Sequence, residues 1–390
     1  MFGQKNVGIN VYNAETNTLP KMNWEKLLQL RATSNEDGDI VSLNLSNNLR
    51  GTSLAKIVQL TALNSLRLDC NRLETLPDEI SELSSLTSLR LGGNYLQVLP
   101  EPVTRLRTLT SLDLNRNYLQ TLPDTMTRLE ALTSLDLSFN KLHPLPEVIT
   151  RLGTLTSLNL SGNKLQTIPN TIVRLEGLTT IDFSYNLLET LPEGVGQLSS
   201  LSHLNIGCNL FKIFPSAITR LTSLTYLQLG MNGFQTLPDS MAQLTSLTDL
   251  GLKRNKLETL PYAITELTSL TNLDLGANRL ENLPDTIAQL NALTALHLDN
   301  NRLEALPDTI GQLSALTVPG LSYNESLSPL PSVISQLGGL TDLYLQGDQL
   351  QPLPPITPNC TVHGICPSIV ERSHQRWRWN EISKCGSQSA

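Results

Sequence analysis

From Leu63 to about Leu313 the chain repeats one pattern at a fixed interval of 23 residues. Leu63, Leu66, Leu68, Asn71, Leu73, Leu76, Pro77, Ile80 and Leu83 return as Leu86, Leu89, Leu91, Asn94, Leu96, Leu99, Pro100, Val103 and Leu106. The same order recurs from Leu109, Leu132, Leu155, Leu178 and onward to Leu293. A single unit of this size cannot bury its own apolar edge, so each must stack on the next, and the chain is expected to form one elongated solenoid. Its 390 residues therefore count repeats, about 14 of them over residues 40–354, and not globular domains.

Within a repeat, the segment Thr133-Ser134-Leu135-Asp136-Leu137-Ser138 alternates polar and apolar residues. This places Leu135 and Leu137 on the core face of a short strand and Ser134, Asp136 and Ser138 on the opposite, accessible face. Identical strands stacked in parallel at roughly 4.8 Å make an inner wall on the order of 60 Å long. After each strand stands an asparagine: Asn71, Asn94, Asn117, Asn140, Asn163, Asn186, Asn209, Asn232, Asn255, Asn278 and Asn301, with Asn48 and Asn324 at either end. A small side chain carrying both donor and acceptors is required where the backbone leaves the strand, since unpaired buried amides cost about 1–3 kcal/mol each. The column is read as structural and directed into the stack.

The Leu-Pro pair follows, usually with an acid next, as in Leu76-Pro77-Asp78 and Leu145-Pro146-Glu147. Proline presets φ for a first helical position, and the acid complements the exposed amides there. Short helical or 3₁₀ turns are expected on the outer wall. Such turns are wider than strands, so the stack must bend into a horseshoe with its parallel β-sheet on the concave face.

On these residues the chain resembles the leucine-rich repeat family, in the 23-residue class written L-x-x-L-P-x-x-I-x-x-L on the convex side. That class takes in plant intracellular Ras-group proteins, Scribble- and Erbin-type repeat regions and many bacterial repeat proteins. The resemblance spans residues 40–354. It implies an α/β horseshoe and a role as a recognition module or signalling scaffold; the alternative is the regulatory repeat region of a larger enzyme, a kinase, GTPase or ubiquitin ligase, whose catalytic domain is absent from this chain.

The ends depart from the pattern. Trp24, Leu27, Leu28 and Leu30 have helical spacing, so residues 1–39 are expected to cap the first repeat with a short amphipathic helix over 20–32. Near the other end, Pro319 stands where a strand leucine belongs, which predicts a disturbed wall there. Residues 355–390 form a terminal cap or tail holding Cys360, His363, Cys366, His374 and Cys385 beside Trp377-Arg378-Trp379. Their spacings match no standard zinc pairing, and no metal or cofactor is expected.

Several function classes are excluded by composition. A formal charge of −7 with no Lys/Arg run supplies no basic stripe for nucleic acid. No stretch approaches a membrane span. Phosphate-binding glycine loops, nucleophile elbows and H-E-x-x-H are absent, and the five histidines are scattered, so no catalytic site is expected. Cys70 and Cys208 occupy matching places far apart and read as reduced thiols. Asn44-Leu45-Ser46, Asn159-Leu160-Ser161, Asn324-Glu325-Ser326 and Asn359-Cys360-Thr361 match the glycosylation triplet, which an Asn- and Ser-rich array also generates by chance. With no signal segment at Met1-Phe2-Gly3, a cytoplasmic, monomeric protein is expected; a secreted recognition protein is the alternative.

Candidate partner-binding residues come from the accessible columns. Early repeats carry monotonous Thr-Ser pairs, such as Thr110-Ser111 and Thr133-Ser134. Later repeats hold His203, Tyr226, Asp249, Lys253, Arg254, His297, Tyr323 and Tyr344 in the same columns, while Phe139, Tyr185 and Met231 line another. Tyr, Arg and Met are enriched at interface centres, so the middle-to-late wall is the expected site for a protein partner.

Overall fold

The computed structural model describes residues 24–49, 54–327, 330–346 and 360–365. A helix, α1 (Trp24–Arg31), opens the described chain. It is followed by sixteen strands in one sheet whose spatial order is the chain order, β1 (Ala32–Ser34) to β16 (Thr361–Ile365). From β2 (Ile40–Asn44) onward every neighbour is parallel, as repeated units of one handedness require. The antiparallel β1, paired Ala32 to Leu43 and Thr33 to Ser42, was not legible in the sequence. It covers the free edge of β2, while Leu27 of α1 is buried against the same end.

Each array strand is three residues long in most repeats, with a buried leucine between two half-buried neighbours. The apolar ladders inside form one continuous core. Those ladders are not leucine alone: Phe183, Phe211 and Phe234 are fully buried. The rings of Phe211 and Phe234 stack 6.2 Å apart, with Phe214 tilted onto Phe234 at 6.2 Å.

The outer wall consists of 3₁₀ turns such as Asp124–Arg128 and Glu147–Arg151, with one α-type turn at Tyr262–Thr265. Proline sits one place earlier than the sequence suggested. Pro123, at φ −71° and ψ 146°, is the extended cap residue, and its carbonyl accepts the amide of Met126 at 3.0 Å. Proline suits this place because its missing N–H faces no helical acceptor. Arginines closing one turn reach back to acids opening the turn before: Arg128 to Glu101, Arg151 to Asp124 and Arg220 to Glu193.

The disturbance expected at Pro319 is one-sided. β14 (Val318–Gly320) pairs in full register with β13 (Ala295–His297), Leu296 opposite Pro319, but meets β15 (Asp342–Gln346) only at Gly320 opposite Tyr344. The direction of the main-chain bonds explains this. The Leu68 amide donates to the Arg90 carbonyl of the following repeat at 2.8 Å. Alternate residues of a parallel strand bond the same neighbour, so the amide that Pro319 lacks is one that would have pointed at β15.

Candidate functional site

The accessible wall is built from columns, each holding the same place of successive repeats. The first residue after the opening leucine forms a hydroxyl ladder. Thr110 Oγ1 donates to Thr87 O, Thr133 to Thr110 O and Thr156 to Thr133 O, at 3.0–3.2 Å. The ladder runs on through Ser202 to Thr317. The repeated threonine is thus a main-chain stitch between repeats.

The next column begins with serines and changes at His203, which is exposed. Its ring stacks on Tyr226 at 5.8 Å, and its Nδ1 lies 2.8 Å from Ser202 Oγ. Asp249 follows, accepting from Thr248 Oγ1 at 3.0 Å and from Asn272 Nδ2 at 3.3 Å. A third column alternates charge and amide. Arg90 bridges Asp69 at 3.6 Å and Asp113 at 3.1 Å, then Asn159 and Asn205 donate to Asp136 and Asp182. Interposed asparagines keep those carboxylates from adjoining. Asp113 has no such spacer before Asp136; burial, helped by that neighbour, raises its carboxyl above the ordinary value despite the Asn115 amide and Arg90. His297 and Tyr344 belong to this column too, and Asp299 lies two residues beyond His297. Burial raises Asp299 as well, against the Ser322 amide it accepts and the nearby His297 and Lys253.

Ser138 and Ser161, at 4% and 6% exposure, are buried where the strand alternation placed them on the open face. They lie past the three-residue strand, and Ser161 Oγ turns back to Asn159 Oδ1 at 2.8 Å. Lys253 occupies the same column but is exposed.

The residue before each asparagine forms the remaining column, and here the structure regroups the candidates. Arg254 and Tyr323 stand with Phe139, Tyr185 and Met231, and not with His203 and Tyr226 as the sequence reading had them. All five have positive φ, 53–59°, and so do Arg116 at 51° and Cys208 at 55°. The sequence signal was present in Gly93 and Gly162, which fill the same place with φ of 65° and 66°. The column makes a continuous row. The Arg116 guanidinium lies 5.3 Å from the Phe139 ring centre, Phe139 leans over Gly162 to within 6.5 Å of Tyr185, and Cys208 Sγ lies 3.2 Å from Met231 Sδ. Burial raises the Cys208 thiol, opposed by a hydrogen bond from Tyr185 and the charge of Arg254.

The asparagine column is directed inward. Asn163 Nδ2 donates to Leu160 O of its own repeat and Leu137 O of the previous one, both at 3.0 Å, while its Oδ1 accepts the Leu142 amide. The same triple recurs at Asn117, Asn140, Asn186, Asn209 and Asn278. Among the described residues no cluster of His, Cys, Asp and Glu could hold a metal, and no helix is long and apolar enough to cross a membrane. His363 is in β16, whereas Cys366, His374 and Cys385 lie outside the described residues.

Stacked parallel strands, 3₁₀ outer turns and an inward asparagine column define a leucine-rich repeat solenoid. The profile of the leucine-rich repeat region matches residues 39–159 and 239–345, and that of the leucine rich repeat matches 153–211 and 207–257. The chain belongs to the leucine-rich repeat family. No curated relative matches it. Among solved structures it is similar to a leucine-rich repeat protein of Leptospira interrogans, at 32% identity and TM-score 0.70, covering 86% of this chain and 94% of that one. It also shares its fold with an internalin of Listeria monocytogenes (23% identity, TM-score 0.63, 74% and 82% covered). A plant peptide hormone receptor, solved in complex with a peptide hormone, is a further fold neighbour (24% identity, TM-score 0.60, 86% of this chain and 60% of the receptor). Proteins of this family generally bind other proteins and are generally non-catalytic.

Proposed function

We propose that this protein is a non-catalytic recognition module that engages a protein partner on the strand face of its middle-to-late repeats. The carrying observation is the change along one wall. Up to Thr180 the second strand-face column holds only small side chains, and from His203 it presents a stacked His-Tyr pair, then Asp249. Tyr and exposed Arg or Met in adjoining columns are the side chains that anchor interfaces. Against catalysis, the hydroxyl beside His203 belongs to Ser202, which donates to Thr179 O at 3.1 Å as a rung of the hydroxyl ladder. The described histidines are dispersed: His143, His203 and His297 lie in three different repeats and His363 in β16 beyond the array. Half-buried Cys70 and Cys208, which form no disulfide, support a reducing, cytoplasmic setting.

A photo-crosslinking residue introduced at Tyr226, with a control at the outer-wall residue Gln243, tests the reading in cells of the source organism. Adducts with a protein from position 226 and not from position 243 support it. Equal labelling from both positions, or none from 226, refutes it. With the partner recovered, Tyr226→Ala combined with Arg254→Ala is expected to weaken binding by at least about 2 kcal/mol while circular dichroism stays unchanged.

A further inference from the structure

Five of the twelve exposed large apolar side chains among the described residues, Tyr185, Leu187, Leu210, Ile213 and Met231, fall in three consecutive repeats. Four of them share the edge where the chain leaves the strands, and Ile213 stands three places beyond Leu210, just before the outer turn at Ser216–Arg220. Tyr185 and Leu187 flank the buried Asn186, and Leu210 follows the buried Asn209. Along the column of Leu187 and Leu210 the preceding residues are Lys141 and Lys164, the next is Gly233, and then comes Lys256. Neighbours in this column touch where they are large: the rings of Tyr95 and Tyr118 are 5.9 Å apart, and Lys141 Nζ lies 4.5 Å over Tyr118. The result is an apolar window three repeats wide, bracketed by Lys164 on one side and Lys256 with Arg254 on the other. Lys212 and, one repeat earlier in the same column, Glu189 put one charge of each sign inside the window, and Glu258 follows Lys256.

Two further observations mark the window as more than incidental exposure. Tyr185 and Met231 hold φ of 54° and 56°. That region is disfavoured for an ordinary L-residue, and Gly162 shows that glycine fits the column. Bulky apolar groups are therefore kept where the backbone favours their absence. The width is also specific. Four repeat steps from Lys164 to Lys256 at roughly 5 Å each span about 20 Å, the length of about six extended residues.

We propose that this edge binds an extended acidic peptide segment of a protein partner, with large apolar side chains seated on Tyr185, Leu187, Leu210 and Met231, and carboxylates about six residues apart meeting Lys164 and the Arg254–Lys256 pair. The proposal rests on the recognition reading above and gives the partner its chemistry. The window is too narrow and too sparsely charged for sustained contact with an anionic lipid surface, which acts through many basic groups at once.

The test uses the whole protein and a fluorescein-labelled dodecapeptide carrying a Phe-Leu centre between two Asp-Glu pairs set six residues apart, read by anisotropy. Binding is expected to weaken steeply as salt rises. A peptide with Lys in place of the acids, or with Ser in place of Phe-Leu, should bind at least about tenfold more weakly. Leu187→Ser with Leu210→Ser, and separately Lys164→Glu with Lys256→Glu, should each cost at least about tenfold. Tyr185→Asn removes the ring while keeping a residue suited to positive φ, so its loss of binding cannot be assigned to misfolding. Equal binding of the basic peptide, no binding at millimolar protein, insensitivity to the edge variants, or binding to phosphatidylserine vesicles in place of the peptide overturns the proposal. In those cases crosslinking from Tyr226 still decides the strand-face reading independently.

Discussion

Asn163 Oδ1 accepts the main-chain amide of Leu142, a residue 21 positions earlier in the preceding repeat, at 3.0 Å. The same side chain donates to Leu137 O and Leu160 O. With Ser161 O at 3.3 Å as well, one amide group meets four main-chain groups of two repeats, with 7% of its surface exposed. Asn163→Leu should destabilise the protein by about 1–3 kcal/mol, because those groups lose their partners without gaining water. Ser134→Ala, on the half-buried strand face, should fall within about 0.5 kcal/mol of wild type. Urea denaturation of both variants checks this, and equal effects would contradict the inward assignment.

Tyr185 offers a sharper backbone test. At φ 54° an asparagine is tolerated and a β-branched residue is not. Tyr185→Asn should leave the melting temperature within a few degrees of wild type, whereas Tyr185→Val should lower stability by about 1–3 kcal/mol. Matching melting curves for the two would show that the turn does not hold this conformation in solution.

The phenylalanine ladder should tolerate truncation poorly. Phe211 is fully buried and stacked on Phe234. Phe211→Ala is expected to cost about 3–5 kcal/mol. A loss no larger than that of an exposed-residue change, measured by chemical denaturation, would mean the ring is not packed as described.

Asp299 gives a pH dependence whose sign can be worked out. Its carboxyl is raised in the folded protein chiefly by burial, so the folded state binds its proton more readily than the unfolded chain. Its contribution to stability is fully present below the unfolded carboxylate value and is lost as pH rises through the raised folded value. Asp299→Asn keeps an acceptor for the Ser322 amide and removes the charge. It should raise the thermal midpoint at pH 7 and lose that advantage by pH 3.5; a variant less stable at pH 7 than at acid pH, relative to wild type, contradicts the sign.

The period, the strand face, the outer turns and the inward asparagines were legible because each is written at a fixed place in every repeat. Single events were not. The antiparallel β1 depends on Ala32 and Thr33 meeting Leu43 and Ser42, a pairing with no repeat to announce it. The column of Arg254 and Tyr323 was misplaced because alternation extends only as far as the three-residue strand. Three residues farther on, the backbone enters the left-handed region, and the side-chain direction changes with it. Gly93 and Gly162 carried that signal, but a glycine in one repeat speaks for the others only once the column is known.

The asparagine bonds also give the array a direction. The Leu142 amide is satisfied by the Asn163 side chain, which arrives 21 residues later, and the Leu137 carbonyl, already bonded by Asn140 of its own repeat, gains Asn163 as a second donor. During synthesis, which proceeds from the N-terminus at roughly 5–20 residues per second, a newly emerged repeat stays unfinished until its successor has been made. The two sides of a cut through the array are therefore unequal. Both pieces lose strand-edge partners, as the Ser134 amide would lose Thr110 O, but only the piece that keeps the earlier repeats also loses the asparagine acceptor of its last turn amide, as Leu142 would lose Asn163. Completion passes backward along the chain while synthesis moves forward.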